Sequence, residues 1–317
     1  MRIRRTLAYL IFASCGLLIV VKNHAAEPSD EVRSGSWAIS KAEEAGKVEF
    51  ALMEHRRDGS SNHQSTWPAS SFPGVDFSKS GRQDVRFTIA RDAGKIECEG
   101  YLNDGEGAGV FHFQPDPNYP REMQSLGFSV DEGKQFAMTV QDVSLAFARE
   151  MKSENLSDLD AEKLIAFRIF GVDKAFIDAL RAEGLKISDA NRLVAFRIHG
   201  VSVLMVRSLH QAGYSPDEDT LVAMRIHGAT PEWMQELKQR GYDHVELEKL
   251  IAFRIHGVSP EFIQKLQGLG YSHPDPEELI AMRIHNVTPE YIADMRSRGM
   301  KDLSIDKLVS MRIHGID

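Results

Sequence analysis

The sequence predicts an α+β chain: a small antiparallel β-meander, then a tandem array of two-helix repeats of about 29 residues, α-solenoid-like in its stacking. Three observations predict it. Apolar residues alternate with period two between residues 37 and 113. A nine-residue phrase recurs between residues 164 and 316, and glycine, proline and capping residues fall at the same places in its returns. The boundaries that follow are 1–26 for an export signal or membrane anchor, 27–114 for the β domain and 115–317 for the array.

The first segment begins with Arg2, Arg4 and Arg5, and an apolar run then covers residues 7–21. Those 15 residues fall short of the roughly 20 that span a bilayer. Small residues at Ala25 and Ala26 offer a cleavage position. The expectation is an exported, periplasmic protein with a cleaved signal, the alternative being retention of residues 7–21 as an inner-membrane anchor. With the signal removed, Cys98 is the one cysteine left, which excludes an intrachain disulfide. It shares a strand face with Ile96 and reads as a buried filler. Apolar residues at 42% and charged residues at 26% suit a folded chain. The formal charge of −8 excludes nucleic acid as an expected partner, because phosphate binding needs a concentrated basic surface.

In the β domain Val48, Phe50 and Leu52 alternate with other residues, as do Val85, Phe87 and Ile89, then Ile96 and Cys98, then Phe111 and Phe113. Period two places each set on one face of a half-buried strand. Residues 91–94 and 103–107 have turn composition and predict antiparallel hairpins. The second of these lacks the alternate oxygen ligands of a calcium loop and reads as a plain turn. Residues 55–83, rich in Ser, Gly and Pro, read as a long loop with at most one further short strand. Four or five strands result, with the first helices of the array covering their apolar face.

The array rests on the phrase Leu-Ile-Ala-Phe-Arg-Ile-His-Gly-Val at residues 250–258. It returns at 193–201, 221–229, 279–287 and 308–316, and in altered form at 164–172. Its arginines are Arg168, Arg197, Arg225, Arg254, Arg283 and Arg312, spaced 29, 28, 29, 29 and 29 residues apart. Each unit reads as helix A, a glycine closure, a capped helix B and a second glycine closure. Gly171, Gly200, Gly228, Gly257 and Gly315 close helix A, with Asn286 in the remaining unit. Asp173, Ser202, Thr230, Ser259 and Thr288 cap helix B, three of them followed by proline at the first helical position. The register extends back to caps at Ser144 and Asp116 and closures at Asn155 and Gly127. Leu250, Phe253 and Ile255 are expected to line the packed side of one helix A, and Phe262, Ile263 and Leu266 that of the following helix B. Neither short helix is stable alone, so the units must stack.

Two ladders are the candidate partner-binding residues. The six arginines can reach the negative end of helix A, pair with the first-turn acid of helix B (Arg254 with Glu261), or present forked donors to a partner's carboxylates. His199, His227, His256, His285 and His314 follow them, with Phe170 in the earlier unit. Helices 8–10 Å apart hold such histidines too far from one another to share a zinc ion, so capping of helix C-termini is the expected role.

The repeats at residues 250–262 and their variants resemble those of exported bacterial proteins, and repeats attached to membrane metallopeptidases of the beta-lactam-sensor type. Residues 105–113 look like the strand that precedes such arrays, and the resemblance covers roughly Val85 to Asp317. It implies an envelope location and a part in sensing or signalling, without implying a reaction. The peptidase signature His-Glu-x-x-His is absent, so peptidase activity does not carry over.

Together these readings lead to the expectation of a non-enzymatic interaction or sensory module with a protein partner in the cell envelope. Membrane contact is expected only through an uncleaved N-terminus, and no catalytic residue, metal or cofactor is expected. No Gly-rich phosphate loop or G-x-S-x-G elbow is present. The alternatives are a small-ligand binder, a metal- or pH-responsive array carried by the histidines, and a hydrolase built around His112.

Overall fold

A computed structural model describes residues 33–56 and 59–316. The expected signal or anchor at residues 1–26 lies outside the described residues. Six antiparallel strands come first: β1 (Ser34–Lys41), β2 (Lys47–Arg56), β3 (Gly59–Pro68), β4 (Arg82–Arg91), β5 (Gly94–Asn103) and β6 (Glu106–Pro115). Their order in the sheet is β3-β2-β1-β6-β5-β4.

Two expectations are corrected here. The sheet has six strands rather than four or five, and it is two hairpin triplets joined by the pairing of β1 with β6 rather than one meander. About a third of the expected 55–83 loop is strand β3, the one further strand allowed there, though at ten residues it is not short. Its polar composition suits an edge strand, held by backbone pairing to β2 and burying Trp67 on the inner face.

The sheet curls around its own core. Phe72, in the β3–β4 connection, packs against Phe50 of β2 at 5.1 Å and Phe87 of β4 at 5.4 Å, so the two wings approach each other. Trp37 is fully buried, with its ring lying over Gly100 and Gly109, where a Cβ would come within 2.7 Å of the indole. Cys98 is buried as expected, and burial pushes its thiol pKa up.

Fourteen helices follow among the described residues. The A helices are α2 (Glu132–Val140), α4 (Ala161–Phe170), α6 (Ala190–His199), α8 (Glu218–His227), α10 (Leu247–His256), α12 (Pro276–Ile284) and α14 (Ile305–Ile313). The B helices are α3 (Leu145–Ser153), α5 (Lys174–Ala182), α7 (Val203–Gln211), α9 (Pro231–Lys238), α11 (Pro260–Gly268) and α13 (Pro289–Ser297), with α1 (Tyr119–Ser125) in the same register one unit earlier. Each A helix from α4 packs on the A helix before it, and one continuous apolar core runs beneath.

The punctuation falls where it was expected. Asp173, Ser202, Thr230, Ser259 and Thr288 each accept the backbone N–H three residues on. Gly171, Gly200, Gly228 and Gly257 take φ between 69° and 74°, and Asn286 takes 55°. At the start the register slips slightly: α1 begins at Tyr119, and Asp116 accepts the N–H of Asn118 instead of capping directly.

The sheet meets the array at α2. Phe136 and Val140 enter the sheet's core, with Phe136 against Phe111 at 5.8 Å and Phe113 at 5.1 Å. Buried Gln135 donates to the carbonyls of Ala93 and Asp116, tying the β4–β5 turn to the first A helix. Arg33 pairs with the buried Glu54 and donates to the Glu132 carbonyl at 2.8 Å. The array thus covers one end of the apolar face, whereas Phe72 and the curled wings cover the rest.

Candidate binding face

The arginine ladder has a role that the sequence placed one unit off. The Nε of Arg168, Arg225, Arg254 and Arg283 donates to the carbonyls of Gln141, His199, His227 and His256 at 3.0–3.2 Å. Arg197 donates through Nη2 to Gly171 O at 2.5 Å. These five arginines therefore cap the A helix of the preceding unit rather than their own, satisfying a carbonyl that the helix end leaves without an intrahelical donor.

The guanidinium also lies on the ring three residues past the preceding unit's cap. Arg168 covers Phe147, Arg197 Phe176, Arg254 Trp233, Arg283 Phe262 and Arg312 Tyr291, at 3.7–5.3 Å from the ring centre. Arg225 meets Met205 at that place in the repeat, where there is no ring. A charged hydrogen bond is worth about 1.5–3 kcal/mol, and cation–π contact adds about 0.5–1 kcal/mol where solvent reaches it.

The expected Arg254–Glu261 pairing is replaced by these contacts. Glu261 instead hydrogen-bonds Ser259 and its own backbone N–H, which holds its carboxyl below the usual range. Arg225 acts on Glu232, the first-turn acid of the next B helix, whose carboxyl is held below the usual range chiefly by hydrogen bonds from its own backbone N–H and from Thr230. Arg168 bridges to Asp142 at 3.3 Å.

His199, His227 and His256 end their helices, and His285 and His314 occupy the cap position. The first four are half-buried. The carbonyls of His199, His227 and His256 are the acceptors of the arginine ladder, so the backbone of this row matters structurally as much as its rings. Among the described residues no group of three His, Cys, Asp or Glu side chains is placed to hold a metal ion. His112 is exposed on the outer face of the sheet, and so are Glu97 and Glu99.

Two repeated features escaped sequence reasoning. Tyr214, Tyr242 and Tyr271 donate to the carbonyls of Val245, Pro274 and Leu303, one unit further on, at 2.6–3.0 Å. Burial, with Glu278 and Asp275 nearby, pushes Tyr242 up to about 12. The signal was a Gly-Tyr pair returning at the end of helix B.

The second feature corrects the assignment of Ile255 to the packed side. Ile169, Ile198, Ile226, Ile255, Ile284 and Ile313 are all 45–58% exposed. Helix A has an apolar core side, as Leu250 and Phe253 show at 2% and 0% exposure, and a second apolar stripe facing solvent. A helix apolar on both sides is normally covered on both sides. Beside this row, Ala166, Ala195, Ala223, Ala252 and Ala281, then Ser310, form a line of small residues three positions earlier.

On the B side a hollow of about 340 Å³ lies between α7 and α9, lined in part by Tyr214, Met234, Lys238 and Tyr242. Among the described residues no single helix is long and apolar enough to cross a membrane. No protein-family model, curated protein or solved structure matches the chain.

Proposed function

We propose that the chain is an exported, non-enzymatic protein-interaction module of the cell envelope. In this reading residues 119–316 stack as an α-solenoid and offer the outer face of the A helices to a partner. The observation that carries it is the row of half-exposed isoleucines, repeated in every unit from α4 to α14 with nothing in the described chain over it. Exposed apolar side chains scattered singly need no explanation, but the same residue left exposed in six successive units supports an interaction surface. Ion pairs and capping bonds fix the spacing of the row in advance, so a partner orders little on binding.

The test is cross-linked capture from envelope extract with the full chain as bait, beside an Ile226→Ser/Ile255→Ser variant. The expected outcome is one protein recovered with the parent and lost with the variant, whose melting temperature matches the parent's. Equal recovery by both baits would remove the isoleucine row from the interaction. The hollow between α7 and α9 favours a second reading, a small-ligand site, which a thermal-shift screen of small aromatic and anionic compounds addresses.

A further inference from the structure

Among the described residues the B helices carry a ladder of their own, and one rung is missing from it. At three joints a forked side chain in the last turn of a B helix donates to a carbonyl at the end of the B helix before it. Arg181 Nη2 meets Glu154 O at 3.1 Å, Gln267 Nε2 meets Arg240 O at 3.1 Å, and Arg296 Nη2 meets Leu269 O at 2.6 Å. The first two also bond a carbonyl of their own unit, Ile187 and Ser272, at 3.3 Å. The third lies over the ring of Tyr271 at 5.7 Å. Between α5 and α7, Arg207 fills the role through the Glu183 carboxylate, at 2.6 and 2.9 Å. Each acceptor residue directly precedes the glycine or asparagine that closes its helix.

The missing rung lies between α7 and α9, where the hollow is. Lys238 stands 29 residues before Gln267, at the equivalent place, but its ammonium turns to the Asp243 carboxylate at 3.0 Å. Ala212 stands 28 residues before Arg240, and among the described residues nothing donates to its carbonyl. An ammonium is a point charge on a flexible stem and does not bridge two acceptors as a planar fork does. Ala212 is also short where other units have Glu154, Glu183, Arg240, Leu269 and Arg298. Together these leave about 340 Å³ open, at the lower end of the volumes that hold small ligands.

The vacant seat keeps the acceptors of the filled ones. The Ala212 carbonyl lies at the negative end of α7, which favours a cation. Tyr214 lines the hollow at the place that Tyr271 holds under Arg296. Asp243, held below the ordinary carboxylate range chiefly by the hydrogen bond from Lys238, adds a charged acceptor. Both members of that pair are about half exposed, so the ammonium can turn out to water at little cost.

Resting on the ligand-site reading of the hollow, we propose that it binds a guanidinium group, carried by a free guanidino compound or by an arginine side chain of a partner polypeptide. The group donates to the Ala212 carbonyl, with Asp243 as second acceptor and the Tyr214 ring beside it. The ligand thereby completes the ladder that the chain builds from its own side chains at the other joints.

The probes are agmatine and the peptide acetyl-Gly-Arg-Gly-amide, with cadaverine and acetyl-Gly-Lys-Gly-amide as their ammonium controls. In NMR titrations of the full, isotope-labelled chain, the guanidino probes shift the amides of Gly213, Tyr214 and His244 and bind at least about fivefold tighter than the controls. Tighter binding of agmatine assigns a free compound, and tighter binding of the peptide assigns a polypeptide. Lys238→Arg supplies the guanidinium from the chain itself, so it raises the melting temperature by about 2 °C or more and abolishes the shifts. Asp243→Asn, folded like the parent, weakens both guanidino probes at least about threefold. Equal binding of guanidinium and ammonium, or no saturation below about 10 mM, overturns the proposal. So does a folded Lys238→Arg variant that melts no higher or still binds the probes. An aromatic or anionic compound that occupies the hollow while neither guanidino probe binds sinks the guanidinium and leaves the ligand-site reading standing.

Discussion

In the sheet, strands far apart in the chain meet: β1 pairs with β6, and Phe72 joins wings that begin at β2 and β4. In the array, each A helix packs on the A helices of the units before and after it. A sheet closed by distant pairs stands or falls as a whole, whereas stacked units lose stability one interface at a time. The difference shows in the side chains that hold each region. Trp37 lies at the centre of the sheet's core with no equivalent elsewhere, but Arg225, Arg254 and Arg283 repeat one contact at successive joints.

The largest test of that contrast is Trp37→Ala. Loss of a fully buried indole over Gly100 and Gly109 is expected to cost about 3–5 kcal/mol and to remove the sheet's transition as one cooperative step. Calorimetry checks it, and survival of a separate sheet transition would mean that the region is less cooperative than its pairing implies.

Next is Gly228→Val in the array. The position has φ +72°, and a Cβ there comes within 2.9 Å of Arg254 Nη2. Backbone strain of about 1–3 kcal/mol is expected, together with displacement of that guanidinium. The damage should stay local, with hydrogen exchange accelerating in α8–α10 and leaving the sheet protected.

Arg254→Gln sharpens the comparison within the array. It loses the bond to His227 O and the contact with Trp233, for about 1–2 kcal/mol, less than the two contributions summed because Arg254 is exposed and solvent screens it. Arg225→Gln, without a ring beneath it, should cost less by about 0.5–1 kcal/mol. Equal losses in chemical denaturation would show that the rings add nothing.

Acid supplies a smaller test. Asp217 caps α8, and its hydrogen bonds from Thr220 hold its carboxyl below the ordinary range. A folded pKa below the unfolded one means that the unfolded chain takes up the proton first as pH falls. The stabilisation is complete above the ordinary aspartate range and is lost below about pH 4. Asp217→Asn should therefore melt like the parent at low pH and below it at neutral pH. Smallest of all, Ile226→Ser/Ile255→Ser should leave stability within about 0.5 kcal/mol, because the side chains are already half in water.

Legibility in the sequence followed the locality of the chemistry. Ser259 caps and Gly257 closes through bonds to residues a few positions away, so composition at fixed offsets was enough to find them. The β1–β6 pairing involves residues some seventy positions apart, such as Ala38 and Ala108, and leaves no local mark. Strand β3 was allowed for in the sequence but not placed, because backbone pairing, rather than apolar alternation, holds it. Ile255 was misplaced for a different reason. Helix A has two apolar stripes, and periodicity alone does not say which faces the core. The arginine ladder was visible as a pattern, but its acceptor was a backbone carbonyl of the preceding unit, which no side-chain identity reveals.

The joint between α7 and α8 departs from the rest of the stack. Gly213 precedes the first residue of α8 by five positions, where Gly184, Gly241, Gly270 and Gly299 precede the next A helix by six. Met205 stands where the arginine of α8 elsewhere finds a ring, and the hollow of about 340 Å³ opens beside the same joint. Arg225 therefore holds this joint by its bond to the His199 carbonyl without a ring beneath it, and hydrogen exchange that is faster at α7–α8 than at the other joints is the expected consequence.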